Sequence, residues 1–138
     1  MDITQPTAEL GAAVTQEVLD LQGVWRQIAC EADGVANPSE IYGVEPAVTI
    51  LGNTFEVRHA DGTVVIQGVF TIDPSCDPKA IDWTDTFGVD AGKTFPAIYR
   101  LAGDTFTFCA AGADQPRPGV FHTTVGQVLR VHRRVSGS

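Results

Sequence analysis

The chain has 138 residues and a mass of 14.7 kDa, enough for one domain with a single hydrophobic core but too little for two. Hydrophobic residues make up 43% of the chain and charged residues 19%, a composition typical of a folded globular protein. The formal net charge of −8 argues against nucleic acids and anionic membranes as partners, because their phosphate groups repel an acidic protein.

The N-terminal residues and the cysteines bear on the cellular compartment. The segment MDITQPTAELGAAV lacks the basic start and the sustained apolar run of a signal peptide or a membrane anchor. Cys30, Cys76 and Cys109 form no C-x-x-C motif, and their odd number leaves one cysteine unpaired in any disulfide scheme. Reduced thiols are the simpler interpretation, so we expect a cytoplasmic protein.

An amphipathic helix is predicted near the N-terminus, over residues 7–21. Pro6 and Thr7 can begin a helix. Apolar residues then recur at spacings of four, four and three: Leu10, Val14, Val18 and Leu21. A single helix of this length must bury its apolar stripe against the rest of the domain. The pattern leaves open whether the helix packs on the wall of a sheet or lies across an opening.

Residues 23–134 have the pattern of a β-barrel. Asp61-Gly62 joins two apolar runs that alternate at period two, which predicts a β-hairpin with a two-residue type I′ turn. Strands are predicted at about 23–32, 47–51, 54–60, 63–72, 79–84, 94–102, 105–111 and 127–134. Tight turns between them make consecutive strands antiparallel neighbours, and a meander of this kind closes most naturally into a barrel without exposed edges.

The predicted fold is therefore all-β: an up-and-down antiparallel barrel of about eight strands with one N-terminal α-helix. We expect a single domain over residues 1–138, in which residues 7–21 are the helix and residues 23–134 the barrel.

Several segments of the chain resemble a known family. They are LQGVW (21–25), EADG (31–34), DPKAIDW (77–83), DAGKTFPAIYRLAGDTFTFCAA (90–111) and RP (117–118). From about residue 19 to the end, the chain resembles a lipocalin-like (calycin) domain of an uncharacterised bacterial family abundant in planctomycetes. The resemblance implies that Trp25 and an arginine of the last strand, Arg133 or Arg134, close one end of the barrel. It implies no activity, because this fold serves in ligand carriers, inhibitors and a few enzymes.

Side-chain alternation predicts which residues line the barrel. The inward positions so predicted include Trp25, Gln27, Ala29, Leu129 and Val131. Small residues on the inward face would leave room for one small ligand: Ala29, Gly68, Ala97 and Ala110. The residues predicted to bind the ligand are Gln27, Phe55, Val57, His59, Phe70, Trp83, Tyr99, Phe106 and Phe108.

Few polar side chains on the predicted inner face could act on a ligand. His59 and Tyr99 are the candidate catalytic residues, as proton donors. Each also fits a structural role, because His59 ends its strand beside a turn and Tyr99 could be a core aromatic with its hydroxyl at the surface. His122 is predicted to lie in a loop and His132 on the outer face of the barrel.

Other sequence features argue against metal, nucleotide and nucleophile chemistry. The segment DAGKT (90–94) lacks a glycine that a phosphate-binding loop requires, since Phe87 occupies that position. Asp82 and Asp85 face opposite sides of one strand, which argues against a carboxylate pair and a metal site. No Gly-x-Ser-x-Gly motif occurs. We therefore expect no metal and no cofactor.

Three functions fit such a barrel. The preferred one is binding of a small hydrophobic molecule inside it. The alternative is a cofactor-independent cyclase or isomerase of a small-molecule (natural-product) biosynthetic pathway, because conformational restraint alone can lower a barrier by about 7–11 kcal/mol in the best cases. The third is a barrel filled by side chains that acts through its surface. A ligand would enter opposite Trp25, between the loops at residues 35–46 and 85–93. The oligomeric state is left open.

Overall fold

A computed structural model of the chain describes residues 14–36 and 46–135. These residues form one helix, α1 (residues 14–21), and nine strands. The strands are β1 (Gly23–Ala32), β2 (Val35–Ala36), β3 (Ala47–Leu51), β4 (Thr54–Arg58), β5 (Val64–Asp73), β6 (Lys79–Phe87), β7 (Thr94–Ala102), β8 (Thr105–Ala110) and β9 (Val128–Arg134). Residues 7–13 of the predicted helix and most of the predicted 35–46 loop lie outside the described residues.

All strands except β2 form a closed antiparallel barrel. From β3 to β9, each strand pairs with the next along the chain. The first half of β1 pairs with β3, and β9 returns to pair with β1 from Trp25 to Ala32, which closes the barrel. The short strand β2 pairs with the end of β1. The predicted eight-stranded up-and-down barrel with an N-terminal helix is thereby confirmed, and it is compatible with a lipocalin-like fold.

Two turns of the same Asp-Gly sequence adopt different conformations. Asp33 and Gly34 have φ angles of 52° and 79°, as a type I′ turn requires. At the β4–β5 connection only Gly62 has a positive φ, and the amide of His59 donates to the carbonyl of Thr63. The carboxylate of Asp61 accepts a hydrogen bond from the Thr63 amide at 2.9 Å, which stabilises this longer loop. The hairpin was predicted correctly, but its two-residue type I′ turn was wrong.

One end of the barrel is closed by Trp25 and Arg134. The Trp25 side chain is fully buried, and its indole Nε1 donates to the carbonyl of Leu21 at 2.8 Å. The guanidinium carbon of Arg134 lies 4.2 Å from the centre of the Trp25 ring system. Arg134 also donates to the carbonyls of Asp20 and Gln22 at the end of α1. Helix α1 therefore packs at the closed end, where Leu21 joins the core.

The barrel core is centred on Trp83. Its indole packs against four aromatic rings at centroid distances of 5.0–6.3 Å: Phe55, Phe70, Phe106 and Phe108. Gly68 adds no free space beside this cluster, contrary to prediction. A Cβ atom at Gly68 would lie 2.6 Å from the ring of Phe55, which fills the position, and 2.2 Å from the carbonyl oxygen of Thr84.

A bulge in β1 changes one part of the predicted lining. The pairing of β1 with β9 shifts between Gln27 and Ala29, so Ile28 is the extra residue. Beyond the bulge Cys30 pairs with Arg130 and Ala29 pairs with Val131. Cys30 therefore takes the inward position that was predicted for Ala29.

The two faces of β9 are the reverse of the prediction. His132 pairs with Phe106 and Arg130 with Phe108, so both polar side chains share the inner face with these phenylalanines. Leu129 and Val131 lie on the outer face, next to the fully buried Cys109 and the buried Thr107.

The segment 111–127 explains this reversal, because it crosses the outer face. The ring centre of Phe121 lies 4.5 Å from the guanidinium carbon of Arg100, and Thr123 donates through its amide and its hydroxyl to Glu31. An outer face covered in this way accommodates apolar residues, so apolar character alone does not mark the inside of the barrel.

Candidate functional site

A cavity of about 280 Å³ occupies the half of the barrel away from Trp25. Its walls are mainly apolar: Val48, Phe55, Val57, Ile66, Trp83, Phe95, Phe108, Ala110 and Val128. Residues from the loops at the end opposite Trp25 form its mouth: Pro46, Asp90, Ala111, Gly112 and Gly126. Four further polar side chains face it from the strands: Gln27, Asp85, Arg130 and His132.

The structure brings five of the predicted ligand-binding residues to this cavity: Gln27, Phe55, Val57, Trp83 and Phe108. Phe70 and Phe106 lie outside its lining, in the core against Trp83. That any of these side chains contacts a ligand remains a prediction.

The two predicted catalytic residues lie outside the cavity lining. His59 is half-buried at the β4–β5 turn, near the mouth. Tyr99 is buried towards the closed end, where its hydroxyl donates to the carboxylate of Glu17 at 2.6 Å. Burial, followed by this carboxylate, raises the pKa of the Tyr99 hydroxyl above its ordinary value. The geometry of Tyr99 therefore favours a role in attaching α1 to the barrel, since Glu17 also accepts a hydrogen bond from Lys79 at 3.0 Å.

Arg130 was not predicted to line the barrel. Its Nη1 donates to the side-chain oxygen of Gln27 at 2.8 Å and lies 3.9 Å from the sulfur of Cys30. Gln27 was predicted to face inward, but its partner was missed because β9 was assigned the opposite faces.

His132 was predicted on the outer face and is instead buried beside the cavity. Its ring stacks on those of Phe106 and Phe108 at centroid distances of 5.7 and 5.6 Å. Its Nδ1 lies 3.3 Å from the carbonyl oxygen of Phe106, which places the proton of a neutral ring on Nδ1. Burial is the main reason that the pKa of His132 is lowered to about 4; the hydrogen bond to the Phe106 carbonyl opposes this shift, and the positive charge of Arg130 adds to it. The imidazole is therefore neutral at pH 7.

Two buried nitrogens at the cavity wall have no hydrogen-bond partner among the described residues. They are Nε2 of His132 and Nε1 of Trp83. Buried polar atoms are almost always hydrogen-bonded, because losing water without a substitute costs about 1–3 kcal/mol. Both atoms belong to residues that line the cavity.

Asp85 is the most unusual side chain of the cavity. The alternation that places Ile81 and Trp83 inside also places Asp85 inside, and the residue is only 6% exposed. None of the described residues donates a hydrogen bond to its carboxylate. Burial, followed by the negative charge of Asp90, raises the pKa of Asp85 to about 6. This residue was accessible to sequence reasoning, because Trp83 was predicted to face inward two positions earlier.

The loop between β6 and β7 holds Asp85 in place through its backbone. The amide of Asp85 donates to the carbonyl of Lys93 at 3.0 Å, and its carbonyl accepts from the amide of Gly92 at 2.7 Å. Asp90, in the same loop, lines the cavity and pairs with the ammonium group of Lys93 at 3.3 Å. The predicted opposition of Asp82 and Asp85 holds, since Asp82 forms an ion pair with Arg117 on the outer face.

Comparison with models of protein families, with curated proteins and with solved structures finds no match to this chain. Within residues 14–36 and 46–135, no helix has the length and apolar character needed to cross a bilayer. In the same residues, no three His, Cys, Asp or Glu side chains are grouped as a metal site would require. What the structure establishes is a β-barrel that could hold a ligand.

Proposed function

We propose that the barrel binds one small hydrophobic molecule in the cavity above Trp83. The observation that carries this proposal is a cavity with apolar walls and a few convergent polar groups, the usual composition of a small-molecule site. Its volume of about 280 Å³ lies just below the range of about 300–1,000 Å³ typical of such sites, which favours a small ligand.

The ligand enters at the end opposite Trp25. The Trp25 end is sealed by Arg134 and α1, whereas loop residues border the cavity at the other end. Asp90 contributes to this mouth from the loop between β6 and β7, on one side of the predicted opening. Loops at a mouth can move while the strands stay rigid.

A cofactor-free isomerase or cyclase is the second candidate, and Asp85 is the observation that favours it. A buried carboxyl group whose pKa is raised to about 6 can both accept and donate a proton near neutral pH. In such an enzyme Asp85, rather than His59 or Tyr99, would transfer the proton, because only Asp85 of the three lines the cavity.

The absence of disulfides supports a cytoplasmic location for either function. Cys30, Cys76 and Cys109 form no disulfide bond, and Cys76 is exposed. An exposed free thiol persists most readily in a reducing compartment. We also propose that nucleic acids and membranes are not partners, on the basis of the acidic net charge.

A tryptophan-fluorescence titration with a panel of small apolar ligands tests the binding function. Trp83 lines the cavity and Trp25 does not, so we expect saturable quenching in the wild type and in Trp25→Phe, but not in Trp83→Phe. Val57→Phe should block the cavity, whereas Val69→Phe, at an exposed position of the neighbouring strand, is the matched control.

One further result would contradict both candidate functions, and another separates them. A panel without any quenching, together with a crystal structure whose barrel is filled by side chains, would contradict both. Mass spectrometry of a bound molecule before and after incubation distinguishes carrier from enzyme, because only an enzyme converts it, and Asp85→Asn should then abolish the conversion.

A further inference from the structure

We infer that the ligand carries a protonated amine, and that the carboxylate of Asp85 is the group that recognises it. This inference rests on the proposed binding function and names the chemical class of the ligand. It is carried by the position of Asp85, which is buried, faces the cavity and receives no hydrogen bond from the described residues.

A largely buried carboxylate without a partner is costly, because burial removes much of its water and no hydrogen bond from the described residues replaces it. Carboxylates are almost never this buried unless they are paired. The inward residues that flank Asp85 on β5 and β7 have no side-chain donor for a hydrogen bond to its carboxylate: Ile66, Gly68 and Phe95. A cationic donor in the cavity would supply the missing partner through a charge-assisted hydrogen bond.

Among the described residues, the two cationic side chains considered as partners of Asp85, those of Lys93 and Arg130, bind other groups. Lys93 lies close to Asp85, because its carbonyl accepts a hydrogen bond from the Asp85 amide. Its ammonium group, however, pairs with Asp90. Arg130 faces the cavity from β9, which lies three strands from β6 around the eight-stranded barrel, and it donates to Gln27. Asp90 adds a second negative charge near Asp85, which favours a cation there.

The aromatic walls fit the same class of ligand. Trp83 lies on the inner face two residues before Asp85, and Phe95 and Phe108 line the cavity beside it. Aromatic faces attract ammonium groups and also bind an apolar body. An amine attached to a small hydrophobic skeleton is thus complementary to both parts of the cavity.

The opposite protonation state gives the competing explanation. A neutral Asp85 could donate a hydrogen bond to a ligand carbonyl or hydroxyl oxygen. At pH 8 the carboxyl is mostly ionised, because its pKa is raised only to about 6. The amine and the neutral ligand therefore differ in the sign of their pH dependence.

The test is isothermal titration calorimetry with two probes of equal shape, phenylbutylamine and phenylbutanol, between about pH 5 and pH 8. The variants are Asp85→Asn, which keeps the shape and removes the charge, and Asp82→Asn, on the outer face of the same strand, as the matched control. A third variant, Asp90→Asn, measures the contribution of the second carboxylate.

At pH 8 we expect the amine to bind the wild type at least about tenfold more tightly than the alcohol, the typical value of a hydrogen bond to a charged group. Asp85→Asn should abolish this preference, and Asp82→Asn should retain it. Amine affinity should fall as the pH is lowered through about 6, because the amine stays charged while Asp85 becomes protonated. Among the described residues, the other titratable groups that line the cavity are Asp90, Arg130 and His132, and they are unchanged between wild type and Asp85→Asn.

Three outcomes would overturn the inference. Equal binding of both probes, insensitive to Asp85→Asn, would leave the binding function intact and refute amine recognition. Alcohol binding that strengthens as the pH falls would show that Asp85 acts as a neutral donor. Failure of both probes, together with an unresponsive apolar panel, would refute the binding function as well.

Discussion

The two tryptophans of the barrel lie in contrasting surroundings. Trp25, at the closed end, donates its indole N–H to Leu21 and stacks against Arg134, whereas the indole nitrogen of Trp83, at the cavity, has no partner among the described residues. Tyr99 and Asp85 differ in the same way: the Tyr99 hydroxyl donates a hydrogen bond to Glu17, whereas the Asp85 carboxylate receives none from the described residues. Polar groups at the closed end thus stabilise the fold, whereas several at the cavity are unsatisfied, as expected where function opposes stability.

The comparison predicts that Trp25→Ala changes the stability of the protein most. We expect a loss of about 3–5 kcal/mol in the free energy of unfolding, because the fully buried ring packs on Phe106 at 5.5 Å and would leave a cavity. Denaturant melts measure the loss. A change under about 1 kcal/mol would show that the closed end does not depend on Trp25.

We expect Asp85→Asn to increase the stability of the protein, by less than Trp25→Ala lowers it. Because burial raises the pKa of Asp85 to about 6, above the unfolded value of about 3.9, the folded protein binds more protons between these values. Ionised Asp85 therefore destabilises the ligand-free protein as the pH rises from about 4 to about 6. We expect Asp85→Asn to be more stable than the wild type by about 1–2 kcal/mol at pH 8, after allowance for screening by water at the mouth, and equally stable near pH 4.

Melts of both proteins at several pH values measure this difference. The low pKa of His132 has the opposite effect on stability. Between about pH 4 and pH 6.5 the folded protein binds fewer protons at this residue than the unfolded chain, so stability rises with pH. This contribution is common to both proteins and cancels in the difference. A constant stability difference across the pH range would contradict a raised pKa at Asp85.

The smallest effect is expected for Tyr99→Phe. The variant loses the hydrogen bond to Glu17, so we expect a loss of about 1 kcal/mol in unfolding free energy and unchanged ligand affinity. A double-mutant cycle with Glu17→Gln should assign most of the loss to this pair. Weaker ligand binding by Tyr99→Phe, with stability unaffected, would instead support the predicted contact between Tyr99 and the ligand.

Parts of the site could be predicted from sequence because they follow from local alternation. Phe55, Val57, Trp83 and Phe108 face the cavity at positions that follow the period-two alternation of their strands. Asp85 obeys the same rule, yet a charged residue facing inward runs against the general preference of carboxylates for water. His132 and Arg130 were misplaced for a different reason: the segment 111–127 covers the outer face, so the apolar residues of β9 lie outside.

The sequence by itself determined the eight strands of the barrel and where the chain turns between them, because alternation and turn residues act over a few neighbouring positions. Only the tertiary structure decided the register of β9 on β1 and the bulge at Ile28. It also decided that the ring of Phe55 fills the space at Gly68. These features depend on contacts between residues far apart in the chain. They decide which side chains share the inner face, so the polar groups of the cavity could not be identified from the sequence alone.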